Sequence, residues 1–154
     1  MDDSSLFASL YPALRQFAAV TGSVDVEPDD LVQEAVARTL RSHRLIDLDD
    51  AGAYLRRAIV NLAANRRRSM ARFRGAIARL DRVDEAQVVE YGSDLAELLR
   101  LDPQARALLF MVEVEGHSYS EAAAVLGISE QAARARAARA RRRLRADLEG
   151  ATDE

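Results

Sequence analysis

Apolar positions recur along this chain at helical intervals. Leu6, Phe7, Leu10, Tyr11, Leu14, Phe17 and Ala18 fall three and four residues apart and predict an amphipathic helix. Pro12 interrupts the run, which favours a short lead-in turn and a helix starting at the proline over one straight rod. After a connection over Thr21–Val26, a second helix should open at Pro28, Asp29 and Asp30. Proline suits a first helical turn, and carboxylates there complement the helix dipole. Its buried stripe is expected to be Val32, Val36 and Leu40 with Leu31 and Ala35; Asp30, Gln33, Glu34, Ala37, Arg38 and Arg41 then point outward. His43–Gly52 reads as a loop bearing Asp47, Asp49 and Asp50. The following helix is expected from Ala53 to about Met70, with Leu55, Ala58, Ile59 and Leu62 inward. Arg57, Asn61, Ala64, Asn65 and Arg68 share its opposite stripe.

From Gly75 to about Ser93 the apolar period weakens, and LDRVDEAQVVEYGSD is mostly acidic, as a linker would be. Leu95, Leu98 and Leu99 begin a second unit. Asp102 followed by Pro103 signals another helix, carrying Leu108, Leu109, Phe110 and Val112 into a core until Gly116 stops it. No segment alternates like a strand. The expected fold is all-α, in two small helical domains, 1–75 and 95–149, joined by a flexible acidic linker at 76–94. Domains that small have marginal cores, so their relative order is expected to come from a partner.

The most informative stretch is GHSYSEAAAVLGISEQAARARAARARRRLR. Ser118 with Glu121 three residues on forms a capping box, in which each side chain satisfies an orphan amide. Ala122, Ala123, Val125 and Leu126 make a short apolar helix, and Gly127 ends it because glycine adopts positive φ without strain. Ile128 plugs the corner and Ser129 caps a second helix. On that helix Ala133, Ala137, Ala140 and Leu144 can bury, leaving Gln131, Arg134, Ala135 and Ala138 on the opposite face near the amino end. That arrangement is a helix-turn-helix, which offers this face to base edges in the major groove. An Ala/Arg helix alone could be only a solvated surface; the two caps and the glycine turn at this spacing argue otherwise.

Charge layout sharpens the picture. The net charge of −3 hides two basic blocks, eight Arg without an acid in Tyr54–Arg79 and seven in Gln131–Arg145, within an otherwise acidic chain. Two such blocks suggest two contacts with a polyanion, and the acidic remainder suggests a different partner. All 22 basic residues are Arg, suited to bidentate phosphate and guanine contacts. Two Asn in the middle of the first basic helix are poor helix formers and point to a contact role. There is no cysteine, which excludes disulfides and thiolate metal sites and fits a reducing cytosol. His43 and His117 lie far apart, so no histidine-based metal or catalytic centre is expected. Asp29, Asp30 and Glu34 are explained as first-turn acids rather than as an acid–base cluster. No apolar run approaches the roughly 20 residues of a membrane span, and the start lacks the features of a secretion signal. A cytoplasmic chain, nucleoid-associated when at work, is expected, with no catalytic residues, metal or cofactor.

With these residues in view, the chain resembles a bacterial RNA polymerase sigma factor of the sigma-70 family, extracytoplasmic-function type. EGHSYSEAAAVLGISEQAARARAARARRRLR is similar to region 4 of that family, DDLVQEAVARTLR to the region 2.2 helix, AYLRRAIVNLAANRRR to regions 2.3 and 2.4, and Tyr11-Pro12 with Leu14 to the opening of region 2.1. The resemblance implies a transcription initiation factor. Asp30, Leu31, Gln33, Glu34, Arg38 and Arg41 would lie at or beneath a docking surface for the β′ clamp helices of core polymerase, and the second domain would meet the β flap. Leu45, Ile46 and Asp47, in the loop Leu45–Ala51, would capture a flipped −10 base beside Tyr54, Arg57, Asn61, Asn65 and Arg68. Gln131, Arg134, Ala135 and Ala138 would face the −35 element, with Arg136, Arg139, Arg142 and Arg143 nearer phosphates. The linker would thread towards the polymerase cleft and RNA exit path. Promoter DNA, an anti-sigma protein and a monomeric place in the holoenzyme complete the implied partners, without membrane insertion. Tyr54, Ala132-Ala133, Ala137, Ala35, Ala37 and Thr39 stand where the family commonly has larger or different side chains. With Ala at 135 and 138, little beyond a thymine methyl is read there.

Two rival functions fit parts of the pattern. A free-standing helix-turn-helix regulator would bind DNA tightly without polymerase, commonly as a dimer on a palindrome. A helical adaptor or anti-factor would bind polymerase without reading DNA, and would tolerate loss of Arg134 and Arg139.

Overall fold

The computed structural model describes residues 1–80 and 100–152, and within them the chain forms helices joined by short turns, with no strand. The first helix, α1 (Asp3–Thr21), is capped by Asp2, whose carboxylate accepts from the Ser5 amide at 2.8 Å. It is one continuous helix with Pro12 inside it, not a turn followed by a helix. A proline at that position loses one backbone hydrogen bond and crowds the carbonyl four residues earlier. Both Pro12 and Ala8 are exposed, so solvent can take up the freed carbonyl and the rod survives.

Helix α2 (Pro28–Leu40) starts at the expected proline. The Tyr11 hydroxyl donates to Asp29, and Arg15 Nε donates to the same oxygen at 3.1 Å, so this first-turn acid fastens α2 to α1. The buried stripe differs from expectation at its end. Leu31, Val32, Ala35 and Thr39 are buried while Leu40 is 47% exposed. Steps of four from Leu31 through Ala35 lead to Thr39, whose hydroxyl is satisfied by the Ala35 carbonyl at 2.8 Å; a threonine can therefore take the inward place. A short 3₁₀ turn, Leu45–Asp47, precedes α3 (Ala51–Leu80). Helix α3 runs ten residues past the expected end near Met70, through Gly75, around which nothing lies within 4 Å. A solvated mid-helix glycine costs about 1 kcal/mol relative to alanine, too little to stop a run of good helix formers. Residues 76–80 of the expected linker are thus helical, and 81–94, with the expected start of the second unit at Leu95–Leu99, lie outside the described residues.

Helix α4 (Pro103–Glu113) is capped by Asp102, which accepts from the Ala105 amide at 2.8 Å. It ends at Glu113, and Gly116 at φ +76° turns the chain towards α5 (Tyr119–Leu126). Ser118 caps α5, accepting from the Glu121 amide at 3.0 Å; Gly127 leaves it at φ +69°, and Ser129 caps α6 (Glu130–Thr152) by accepting from Ala132 at 3.1 Å. The two serine caps and the glycine turn are those predicted for a helix-turn-helix, but the capping box closes on one side only: the Glu121 carboxylate accepts from the Ser118 hydroxyl at 3.2 Å and from His117, not from a backbone amide.

One apolar core links both halves. Leu14 and Phe17 of α1, Leu31 and Val32 of α2, and Leu55 and Ile59 of α3 share a cluster with Leu108 and Met111 of α4 and with Ala122, Ala133 and Ala137 of the helix-turn-helix. Each fully buried Leu, Ile or Phe contributes about 1.5–3 kcal/mol. Helix α4 packs on both α1 and α3. The two helical units are therefore joined by shared apolar burial.

Candidate nucleic-acid interface

The helix-turn-helix builds its candidate surface by burying alanines. Ala133, Ala137 and Ala140 are at most 5% exposed against α4 and α5, which turns Gln131, Arg134, Ala135 and Ala138 outward together. Arg134 does not wave freely. Its guanidinium lies 4.8 Å from the Tyr119 ring centroid, and its Nη2 donates to Glu130 Oε1 at 2.9 Å. The ring face holds the cation in place, while Glu130 is an exposed competitor that a phosphate or guanine must displace. Among the described residues, Arg136, Arg139, Arg142 and Arg143 form no ion pair. Arg141, which with Arg145 was not singled out by the sequence pattern for DNA contact, is held by Glu113 and lies over the same Tyr119 ring.

On α3, Tyr54, Arg57, Asn61, Asn65 and Arg68 are all exposed, and Arg68 donates to the Asn65 side-chain oxygen. The Tyr54 ring packs at 5.5 Å from His43. The adjoining turn is pinned to α1 by Asp3, whose carboxylate accepts from the Ile46 amide at 3.0 Å. Ile46 and Asp47 are exposed, but Leu45 is 1% exposed and part of the core. Leu45 therefore has no surface to offer a base; it is the apolar plug that holds the turn in place. Asp50 caps α3 by accepting from the Ala53 amide at 2.9 Å.

The candidate docking helix is likewise divided. Asp30, Gln33, Arg38 and Arg41 are exposed on one side of α2. Glu34 is half-buried, accepting from Arg38 at 2.8 Å and from Arg66 of α3. Leu31 is 1% exposed, so it supports the surface from beneath and does not form part of it.

Several contacts between the two helical units were not foreseen from sequence. Arg106 of α4 is 3% exposed and inserts at the carboxyl end of α1, donating to the Gly22 carbonyl at 3.0 Å and the Thr21 carbonyl at 3.1 Å. Loss of water around it, with Arg67 near by, pushes its pKa down to about 10 despite Asp102. Arg56 of α3 donates to both carboxylate oxygens of Glu115, at 3.2 and 2.6 Å, with both side chains mostly buried. Phe17 and Phe110 pack with centroids 6.2 Å apart. Periodicity marks Phe17 and Phe110 as apolar but does not pair them, and it marks none of Arg56, Arg106 and Glu115, since each has its partner on a distant helix. The packing sets Asn61, Asn65 and Arg68 of α3 across an open cleft of about 980 Å³ from Arg136, Arg139 and Arg143 of α6. Among the described residues no group of three or more His, Cys, Asp or Glu could hold a metal ion, and no helix is long and apolar enough to cross a membrane.

Residues 95–144 match the family model described as sigma-70, region 4. The chain is 30% identical over 143 residues to the ECF RNA polymerase sigma factor SigM of Mycobacterium tuberculosis, covering 90% of this chain and 73% of that protein. It is 32% identical over 155 residues to the ECF RNA polymerase sigma factor EcfG of Rhodopseudomonas palustris, covering 92% and 83%. A solved structure of the sigma factor RpoE of Bartonella quintana, in complex with the anti-sigma factor NepR, matches with a TM-score of 0.65 at 23% identity, over 95% of this chain and 96% of that one. At that identity the likeness speaks for a common fold.

Proposed function

The chain belongs to the ECF RNA polymerase sigma factors, transcription initiation factors that bind core polymerase and take it to promoter DNA, and from that premise we propose how its surfaces divide the task. The exposed side of α2, with Asp30, Gln33, Glu34, Arg38 and Arg41, docks on the β′ clamp helices, and the helix-turn-helix unit lies against the β flap. Gln131 and Arg134 read the −35 element while Arg136, Arg139, Arg142 and Arg143 hold phosphates. Tyr54, Arg57, Asn61, Asn65 and Arg68, with Ile46 and Asp47 of the preceding turn, engage the −10 element.

The observation that carries this division is the separation of faces on α6. Ala133 and Ala137 are buried on one side while Gln131, Arg134, Ala135 and Ala138 are exposed on the other, at the end of the helix that a major groove admits. The work is binding and not catalysis; polymerase supplies the chemistry and this chain supplies the address, in the cytoplasm where DNA and polymerase meet. Unstacking a promoter step costs a few kcal/mol, offset in part by capture of the exposed base. Each good bidentate contact discriminates by about 1–3 kcal/mol. Two weak surfaces carried on one polymerase gain further from effective concentration.

The test is transcription with purified core polymerase and this chain, followed by sequencing of the DNA recovered with the assembled enzyme. Starts at a fixed distance from two spaced elements are expected. Promoter-independent starts, or tight specific DNA binding by the chain alone as a dimer, would contradict the reading.

A further inference from the structure

The buried stripe of α3 does not end where the bundle does. Leu55, Ile59 and Leu62 face the core, and the same side of the helix runs on through Arg66 to Met70, Phe73 and Ile77, in steps of three and four. Those last three side chains are 45%, 60% and 45% exposed, and every residue from Arg67 to Arg79 is exposed with them. The overhang also carries Arg67, Arg68, Arg72, Arg74 and Arg79 and no acid. Among the described residues, Arg72, Arg74 and Arg79 form no ion pair. A bare helix of this length with Gly75 in its middle is marginal in water, so its apolar row calls for a partner. The chain itself comes back to this place. It leaves α3 at Leu80, and the Arg100 carbonyl accepts from Arg67 Nη2 at 3.3 Å, at the root of the overhang. The segment 81–99 therefore begins at the tip of a rod about 20 Å long and ends at its base.

We infer that the row Met70, Phe73 and Ile77 is the docking surface of the chain's own acidic segment 81–99, which returns antiparallel along α3. Length, apolar spacing and charge select this occupant. Nineteen residues leave about seven for a turn and about twelve for a helix of about 18 Å, close to the length of the rod. Val88, Tyr91, Leu95 and Leu98 recur at intervals of three, four and three, as Met70, Phe73, Ile77 and Leu80 do. Laid head to tail, Leu98 comes level with Met70, Leu95 with Phe73, Tyr91 with Ile77 and Val88 with Leu80, in the register that already sets Arg100 beside Arg67. That spacing makes the apolar seam of a helix pair. The segment holds six acids and one Arg, and Asp94 comes level with Arg74. A second copy of the chain would instead bring arginines against arginines, which repel. Seating has a consequence for reach. Docked, the segment spans about 20 Å, whereas nineteen extended residues reach about 65 Å. The row thus sets how much tether joins the two helical units: short while the segment is seated, long once it is drawn away.

The test uses the full chain, which contains no cysteine of its own. Ile77→Cys with Tyr91→Cys places two thiols level on the docked face. Ala78→Cys with Tyr91→Cys closes a loop of nearly the same length from a position, also exposed, about 100° further round the helix. Under a mild oxidant the first pair should form its intramolecular disulfide at least about tenfold faster, because the bond tolerates little error in distance or direction. Non-reducing gels and intact mass read the two rates. Adding Phe73→Glu to the first pair should remove the advantage and bring its rate to within about twofold of the second, since loop length alone then governs both. Phe73, Ile77 and Ala78 are exposed beyond the core, so the bundle should keep its helices, which circular dichroism checks. Equal rates for the two pairs overturn the docking, and so does an advantage that survives Phe73→Glu. A disulfide that forms chiefly between two chains, and faster at higher protein concentration, assigns the row to a second copy and overturns the inference as well.

Discussion

Gly127 faces Arg57 across the junction of the two helical units, its α-carbon so near the guanidinium that an added methyl would meet Nη2 at 2.7 Å. Gly127 also sits at φ +69°, where a side chain costs about 1–2 kcal/mol. Gly127→Ala should therefore lower stability by at least that strain. Gly116 supplies the control: at φ +76° it has the same backbone demand, but nothing lies within 4 Å of an added Cβ. Gly116→Ala is expected to cost about 1–2 kcal/mol, a fall in Tm of roughly 2–8 °C. Gly127→Ala should cost measurably more, and denaturant titration of both variants checks it. Equal losses would mean that Arg57 moves aside freely.

Much of the local structure was legible because its causes are local. Ser118 with Glu121, Gly127 and Ser129 are caps whose partners lie within three or four residues, so a reader of the chain meets both sides of each contact. The outward set on α6 followed from alanine spacing alone. Where the sequence misled, a distant or solvent partner decided. Pro12 stayed helical because its crowded turn faces water. Thr39 displaced Leu40 from the core because a hydroxyl can be satisfied by the preceding turn. Leu45 looked like part of a binding loop and is a core plug, since the turn carrying it folds back on the bundle. Arg106 carried no signal at all: it is one arginine among 22, and its acceptors are 84 and 85 residues away.

Phe17 is fully buried where α1 meets α4 and touches Phe110 of the second unit. Phe17→Ala should cost about 3–5 kcal/mol, the usual range for emptying a buried aromatic site. Because the core is continuous across both units, the parent chain should unfold in one transition, and helix content and protease resistance should fall together. A variant that unfolds in two steps, with the helix-turn-helix surviving the first, would show instead that the units do not depend on each other.

Acid should loosen the start of α5. Glu121 accepts from His117 and Ser118, and these hydrogen bonds, His117 first, hold its carboxyl below its ordinary value of 4.5. A carboxylate whose pKa is lower folded than unfolded contributes stability above the unfolded value, and that contribution disappears as pH falls through the folded one. The loss therefore falls below pH 4.5. Glu121→Gln should flatten that part of the stability–pH curve and leave the neutral part with only a small offset, since the group is exposed. Thermal melts between pH 3 and about 7 would show the difference; identical acid limbs in parent and variant would mean that these bonds are not maintained in solution.

Arg134 and Arg142 should fail differently when changed to Ala. Arg134 is set over the Tyr119 ring at the amino end of α6, the end proposed to face bases, whereas Arg142 is exposed further along the helix without an ion pair among the described residues. In holoenzyme binding to promoter variants, Arg134→Ala should reduce discrimination within the −35 element by about 1–3 kcal/mol and leave unrelated sequences little affected. Arg142→Ala should weaken all sequences nearly alike and reduce the slope of log affinity against log salt by about 1. Tyr119→Leu keeps the charge of Arg134 but removes the ring beneath it, so its loss should resemble that of Arg134→Ala in pattern and be smaller, about 0.5–1 kcal/mol. Titrations of matched and mismatched −35 duplexes at several salt concentrations separate the three. If Tyr119→Leu instead weakened every sequence equally, the ring would be acting on the fold of the helix-turn-helix and not on the aim of Arg134.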